Sequence, residues 1–176
     1  MDRGEMMWNR DSFDEAVAQA RKSLTDGGVP VGSALDIGGV LVASGHNRRV
    51  QDGDPIAHGE MSCLRNAGRR RSYRDAVLYT TLAPCAMCAG TIIQFGIPLV
   101  VVGESRTFPG ELDWLRSRGV TVIELDDPRC VDLMREFQER YPEVWAEDIG
   151  ESQTSPMSSH HVPTRPESPC RPRSRT

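Results

Sequence analysis

His58-Gly59-Glu60 and, after a spacer, Pro84-Cys85-Ala86-Met87-Cys88 are the residues of this chain best suited to chemistry. One imidazole and two thiols are donors that zinc takes up. Three protein ligands leave the fourth tetrahedral position open to water, which distinguishes a catalytic zinc site from a structural one. Zinc brings the pKa of a bound water to about 7, so Glu60, free of ligand duty, is left to move protons. Cys85 and Cys88 are three apart, so a helix places them on one face, with Pro84 suited to its first position and both thiols in its first turn. The free N–H groups and positive dipole end of that turn favour thiolate over thiol. His58 and Glu60 open a second segment, Gly59 to Ala67, that reads as a helix stopped by Gly68.

Each piece also has a plainer reading. A lone C-x-x-C is equally a redox pair, half of a structural zinc knuckle or two buried thiols. His58 alone would be a polar surface or cap residue, and Glu60 alone a solvated helix charge. A closed structural shell needs a fourth ligand, and none of His46, Cys63, Cys130 and Cys170 forms a second close pair with another candidate, while His160 and His161 in the tail read as incidental. The joint pattern, with Pro before the first Cys and Glu two after the His, favours catalytic zinc.

The elements that must position these residues follow from periodicity and punctuation. Ser12-Phe13-Asp14-Glu15 reads as a capping box opening a helix through Phe13, Ala16, Val17, Ala20 and Leu24 to Gly27-Gly28. Val31 to Ile37 and Val40 to Ser44 flank Gly38-Gly39 as a hairpin, and a loop leads on to the His58 helix. Ala76 to Thr81 is a strand feeding the cysteine helix. Leu99 to Gly103 and Val120 to Leu125 are further strands, with a short helix from Leu112 to Arg118 between them. Asp127-Pro128 opens another helix, and Pro142 a last short one. This alternation indicates an α/β layered sheet, an antiparallel hairpin first and parallel strands after, with the ligands at two helix starts on one edge of the sheet.

Composition bounds the rest. Residues 1–150 suffice for one domain with its own core, whereas 151–176 hold five of the 12 Pro and almost no large apolar side chain, the composition of a disordered tail. The chain carries 21 Lys and Arg against 25 Asp and Glu, and four of those Arg lie in the tail. A domain this acidic argues against polynucleotide binding, and Arg69-Arg70-Arg71 reads as a solvated loop. Met1 to Arg10 carries Asp2, Arg3, Glu5 and Arg10 without an apolar h-region, so no secretory signal is expected, and no run reaches transmembrane length. Five Cys, two of them committed to metal, point to a reducing, cytoplasmic setting.

H-x-E followed by P-C-x-x-C is the pattern of the zinc-dependent nucleobase deaminases. Val29-Pro30-Val31-Gly32, Gly45-His46-Asn47, His58-Gly59-Glu60, Leu78 to Cys88, Phe95-Gly96-Ile97-Pro98, Val101 to Glu104 and Trp145 to Gly150 together resemble the fungal-type cytosine deaminases, from about Phe13 to Glu151. The resemblance implies a three-layer α/β/α cytidine deaminase-like fold with a five-stranded mixed sheet, one Zn²⁺ per chain and a homodimer. It also implies hydrolysis of free cytosine to uracil and ammonia in pyrimidine salvage. His58, Cys85 and Cys88 match the zinc ligands, Glu60 the proton carrier, and Asn47, Gly59, Ala83, Phe108, Trp145, Asp148 and Val31 the substrate contacts. Asp148 would accept the N1–H of a free base, which cytidine lacks. Ala83 and Ala146 depart from the Ser and Phe expected at those positions. The competing readings are a tRNA adenosine deaminase, opposed by Gly59, the acidic domain and the Trp-containing acidic ending, and a structural zinc module, which leaves Glu60 without a role.

Overall fold

The computed structural model describes residues 8–151. The elements run α1 (Arg10–Thr25), β1 (Gly32–Ile37), β2 (Val40–His46), α2 (Arg49–Asp52), α3 (Gly59–Ala67), β3 (Ala76–Leu82), α4 (Ala86–Phe95), β4 (Leu99–Glu104), α5 (Leu112–Ser117), β5 (Thr121–Glu124), α6 (Pro128–Arg140) and α7 (Pro142–Asp148). The expected loop before the His58 helix thus contains a short helix, α2, and the stretch predicted as a tail lies outside the described residues from Ser152 onward.

The strand order is β2-β1-β3-β4-β5. β1 pairs antiparallel with both β2 and β3, while β3, β4 and β5 run parallel, so the sheet is mixed as expected. At the hairpin both Gly38 (φ 58°) and Gly39 (φ 79°) occupy the left-handed region that a primed turn demands. Every residue of β3 and β4 is buried, because helices cover both faces of the centre. Alternation along the strands sorts them. Leu78, Val100 and Val102 pack with Cys63, Leu64, Ala89, Ile92 and Leu115 of α3, α4 and α5, whereas Val77, Tyr79, Leu99 and Val101 pack with Phe13, Ala16, Val17 and Cys130 of α1 and α6. Each such aliphatic side chain contributes roughly 1.5–3 kcal/mol relative to exposure, enough in sum to fix the three layers.

The start of α1 corrects the capping-box reading. Asn9 is the N-cap, its side chain accepting from the Asp11 N–H, and the helix begins at Arg10. Ser12 is drawn elsewhere: its Oγ donates to Asp36 Oδ1 at 2.7 Å, beside a Tyr79 hydroxyl that donates to Asp36 Oδ2 at 2.8 Å. A buried carboxylate requires donors, and the tertiary demand of Asp36 outweighs the local capping pattern.

Candidate active site

Four strand ends meet at one end of the sheet. β1 begins there after Val31, β2 finishes there and leads into Asn47, β3 delivers Ala83 to Cys85, and β4 delivers Glu104 and the loop carrying Phe108. Helices α3 and α4 also start there, with His58 and Cys85 as their N-caps. The expectation of two helix starts holds, but they converge over the ends of the central strands rather than at an edge of the sheet.

Pro84 is not the first helical residue. Its carbonyl accepts from the Glu111 N–H at 2.9 Å and Ala83 N–H donates to Glu104 O at 2.9 Å, so residues 83 and 84 are tied down in the connection after β3 and the helix begins only after Cys85. Cys85 is therefore the cap and Cys88 the third helical residue, which still brings both sulfurs to the same turn. His58, Cys85 and Cys88 each present one ligand atom, all within 4.8 Å of one another, and His58 Nδ1 lies 3.5 Å from Cys85 Sγ.

The chemistry of this donor set fits a divalent cation. A hydrogen bond from Cys88, with another from His58, pulls the Cys85 thiol down to about 4 against the burial that opposes it. Cys88 is driven well above the usual thiol range by its bond to Cys85 and by burial, so a second thiolate here needs a cation beside it. Burial would lower His58, but Cys85, Asp148 and Glu60 outweigh it and raise the imidazole. Among the described residues this is the one His, Cys, Asp and Glu group of at least three able to hold a metal.

Glu60, on the first turn of α3, is only 3% exposed, and burial followed by the negative charge of Cys85 raises its carboxyl above the ordinary range. Thr80 Oγ1 stands 3.2 Å from Glu60 Oε1 and 3.0 Å from the Leu82 carbonyl. A cavity of about 290 Å³ opens beside them, walled by Val31, Asn47, Ala83, Phe108, Trp145 and Asp148 among others. Six of the seven residues expected to touch substrate thus share one wall with His58, Glu60 and Cys85. Gly59 does not join it. A Cβ at Gly59 would lie 2.9 Å from the Val31 carbonyl oxygen, so the glycine permits close packing of α3 against Val31.

Asn47 Oδ1 accepts from the Arg49 N–H at 3.0 Å. Phe108 and Trp145 meet edge to face, centroids 6.2 Å apart at 88°. Asp148, at the end of α7, receives Arg49 Nη1 at 2.8 Å and lies 3.8 Å from His58 Nε2. His46 is tied to α1 instead, its Nδ1 2.8 Å from Gln19 Oε1, and takes no place among the metal donors. Cys63 and Cys130 are buried thiols.

Arg49 and Glu111 escaped the sequence reading, with no local pattern to mark them, while Thr80 and Met87 lie within the Leu78 to Cys88 stretch without a role having been assigned to either. Glu104 did carry a signal, as a carboxylate closing an otherwise apolar strand. Its Oε2 accepts from Arg106 N–H at 2.7 Å and Thr107 N–H at 2.9 Å, which shapes the Phe108 loop.

The model of the cytidine and deoxycytidylate deaminase zinc-binding region matches residues 6–104. The chain belongs to this family. This deaminase is 45% identical over 146 residues to the cytosine deaminase of Candida albicans, covering 81% of its own length and 97% of the relative. It is 38% identical over 92 residues to the tRNA-specific adenosine deaminase of Bacillus subtilis, covering 51% and 57% of the two chains. Among solved structures, the deaminase superposes on a tRNA:A34 deaminase with a TM-score of 0.64 at 23% identity, covering 71% of itself and 99% of that chain. It superposes equally, TM-score 0.64 at 23% identity, on the guanine deaminase of Nitrosomonas europaea, covering 77% and 87%. These two likenesses carry the fold. The family makes it a zinc-binding hydrolytic deaminase, and His58, Cys85 and Cys88 form a group whose geometry could hold the ion.

Proposed function

We propose that the deaminase converts free cytosine and water to uracil and ammonia. The observation that carries this is Asp148, a carboxylate sharing with Glu60 a cavity of about 290 Å³, near the small end of ligand pockets. The extent of likeness to the Candida albicans cytosine deaminase, nearly the whole of that protein, supports the same reading.

His58, Cys85 and Cys88 would hold the zinc ion, which when bound supplies the Lewis acidity that readies a water for attack near neutral pH. Glu60 takes the proton of the attacking water and passes it to ring N3, which makes C4 electrophilic. It then carries a proton to the exocyclic amine, which leaves as ammonia. Its raised carboxyl range suits a group that must be protonated and deprotonated in one cycle. With Asn47 Oδ1 held by Arg49, the Asn47 NH₂ is left to donate to the ring carbonyl. Asp148 accepts N1–H, and Val31, Phe108 and Trp145 cover the flat ring and exclude water.

The same reading makes the enzyme a cytoplasmic homodimer in pyrimidine salvage, without nucleic-acid or membrane partners. No described helix is long and apolar enough to cross a membrane. Ile56, Phe95 and Trp114, exposed apolar side chains in or near the α3–α5 layer, suit a surface shared with a second copy. On the same reading the deaminase domain is residues 1–150, of which 8–150 are described.

The test is ammonia release from cytosine, cytidine, adenine, guanine and a tRNA anticodon stem-loop. Release from cytosine alone at high efficiency supports the proposal, and preferential release from the stem-loop replaces it with the tRNA adenosine deaminase reading.

A further inference from the structure

We propose that Arg49 is a positioning residue that sets both polar substrate contacts at once and latches α7 over the cavity. The inference rests on the free-base reading of that cavity.

Arg49 is not a surface cation. Its side chain is 12% exposed and reaches across the fold to the end of α7, bonding Asp148 Oδ1 at 2.8 Å through Nη1 and Glu147 Oε1 at 3.0 Å through Nη2. Asp148 is the sheltered partner at 7% exposure, and Glu147 the solvated one at 72%. Exposed pairs of this kind contribute little, whereas removing the cation from a sheltered carboxylate leaves a desolvated charge without its partner. The weight therefore falls on Asp148.

Helix α7 needs such a tie. It spans seven residues, far too few to be stable alone, and its N-terminus has no side-chain cap. Val144, Trp145 and Ile149 pack it against the cluster of Val29, Val31, Leu82, Met134 and Phe137. To that apolar contact Arg49 adds a polar tie at the last turn. Among the described residues, every side-chain hydrogen bond made by α7 ends on Arg49.

The same residue acts at the opposite wall through its backbone. The Arg49 N–H binds Asn47 Oδ1, which turns the amide so that its NH₂ group is free of protein partners. The guanidinium in turn occupies Asp148 Oδ1, the oxygen also nearest His58 Nε2, and leaves Oδ2 free to accept a ring N–H. One arginine thus assigns the donor of Asn47 and the acceptor of Asp148, which read different edges of the base. The planar fork serves Asp148 and Glu147 together as an ammonium would not, whereas the Asn47 contact is made by the backbone N–H and does not depend on the side chain.

The test compares Arg49→Met and Arg49→Lys, alone and on Asp148→Asn, for zinc content, kcat and KM with cytosine, and amide exchange of Glu143 to Asp148 in the protein without substrate. Arg49→Met should keep wild-type zinc, raise KM about 10- to 100-fold with a smaller change in kcat, and speed exchange in α7. Arg49→Lys should recover part of the KM loss and part of the exchange protection. On the Asp148→Asn background, Arg49→Met should add less than it does alone. Fully additive effects, or unchanged α7 exchange in Arg49→Met, would overturn the latch. Exchange needs no substrate, so wild-type protein inactive on cytosine would defeat the free-base reading while α7 exchange still decided the latch.

Discussion

Asp148 Oδ1 lies 3.8 Å from Nε2 of His58, on the opposite side of the ring from the Nδ1 that faces the Cys85 sulfur. A carboxylate behind a metal-binding imidazole steadies ring orientation, and here that carboxylate comes from the last residue of the helix covering the cavity. Metal site and lid are thereby linked through one side chain.

Cys85→Ala removes the sulfur whose pKa lies at about 4, the one most readily available as thiolate. The variant should lose both zinc and turnover, checked by metal analysis beside an ammonia assay. Wild-type zinc content in purified Cys85→Ala would remove Cys85 from the ligand set.

Glu60→Gln preserves shape in a site only 3% exposed and removes the ability to exchange a proton. Zinc should stay bound while kcat falls by about 10²- to 10⁴-fold, the usual contribution of a positioned acid–base group. A kcat near wild type would transfer the proton work to another residue.

Asp127 caps α6, accepting from the Arg129 N–H at 2.9 Å, and its carboxyl is held below the ordinary value of 3.8, chiefly by the Arg129 side chain. A depressed folded pKa stabilises fully above 3.8, and that stability disappears as pH falls through the lower folded value. Asp127→Ala should therefore cost about 1 kcal/mol at pH 6 and progressively less below pH 4, read from urea midpoints of the two proteins. A gap that is constant across that range would assign the loss to packing instead of charge.

Strand positions and helix stops were legible because they rest on local chemistry. Gly38-Gly39 must turn, Gly68 must end α3, and Asp127-Pro128 must start α6. The metal residues were equally legible, since three donors and a free carboxylate at fixed spacing have few other uses. What stayed hidden depends on distant partners. Ser12 looks like a cap until Asp36 is placed beside it, and Pro84 looks like a first helical residue until Glu111 holds its carbonyl. Arg49 meets Asp148 across 99 positions, and no periodicity announces such a pair.

The account stands most directly on kcat/KM for cytosine and cytidine, measured in wild type and Asp148→Ala. A site built to bond a ring N–H rejects an analogue without one by as much as about 10⁴-fold. Wild type should strongly prefer cytosine, and Asp148→Ala should narrow the gap by impairing cytosine selectively. Preference for cytidine in the wild type, or an unchanged ratio in Asp148→Ala, would contradict it.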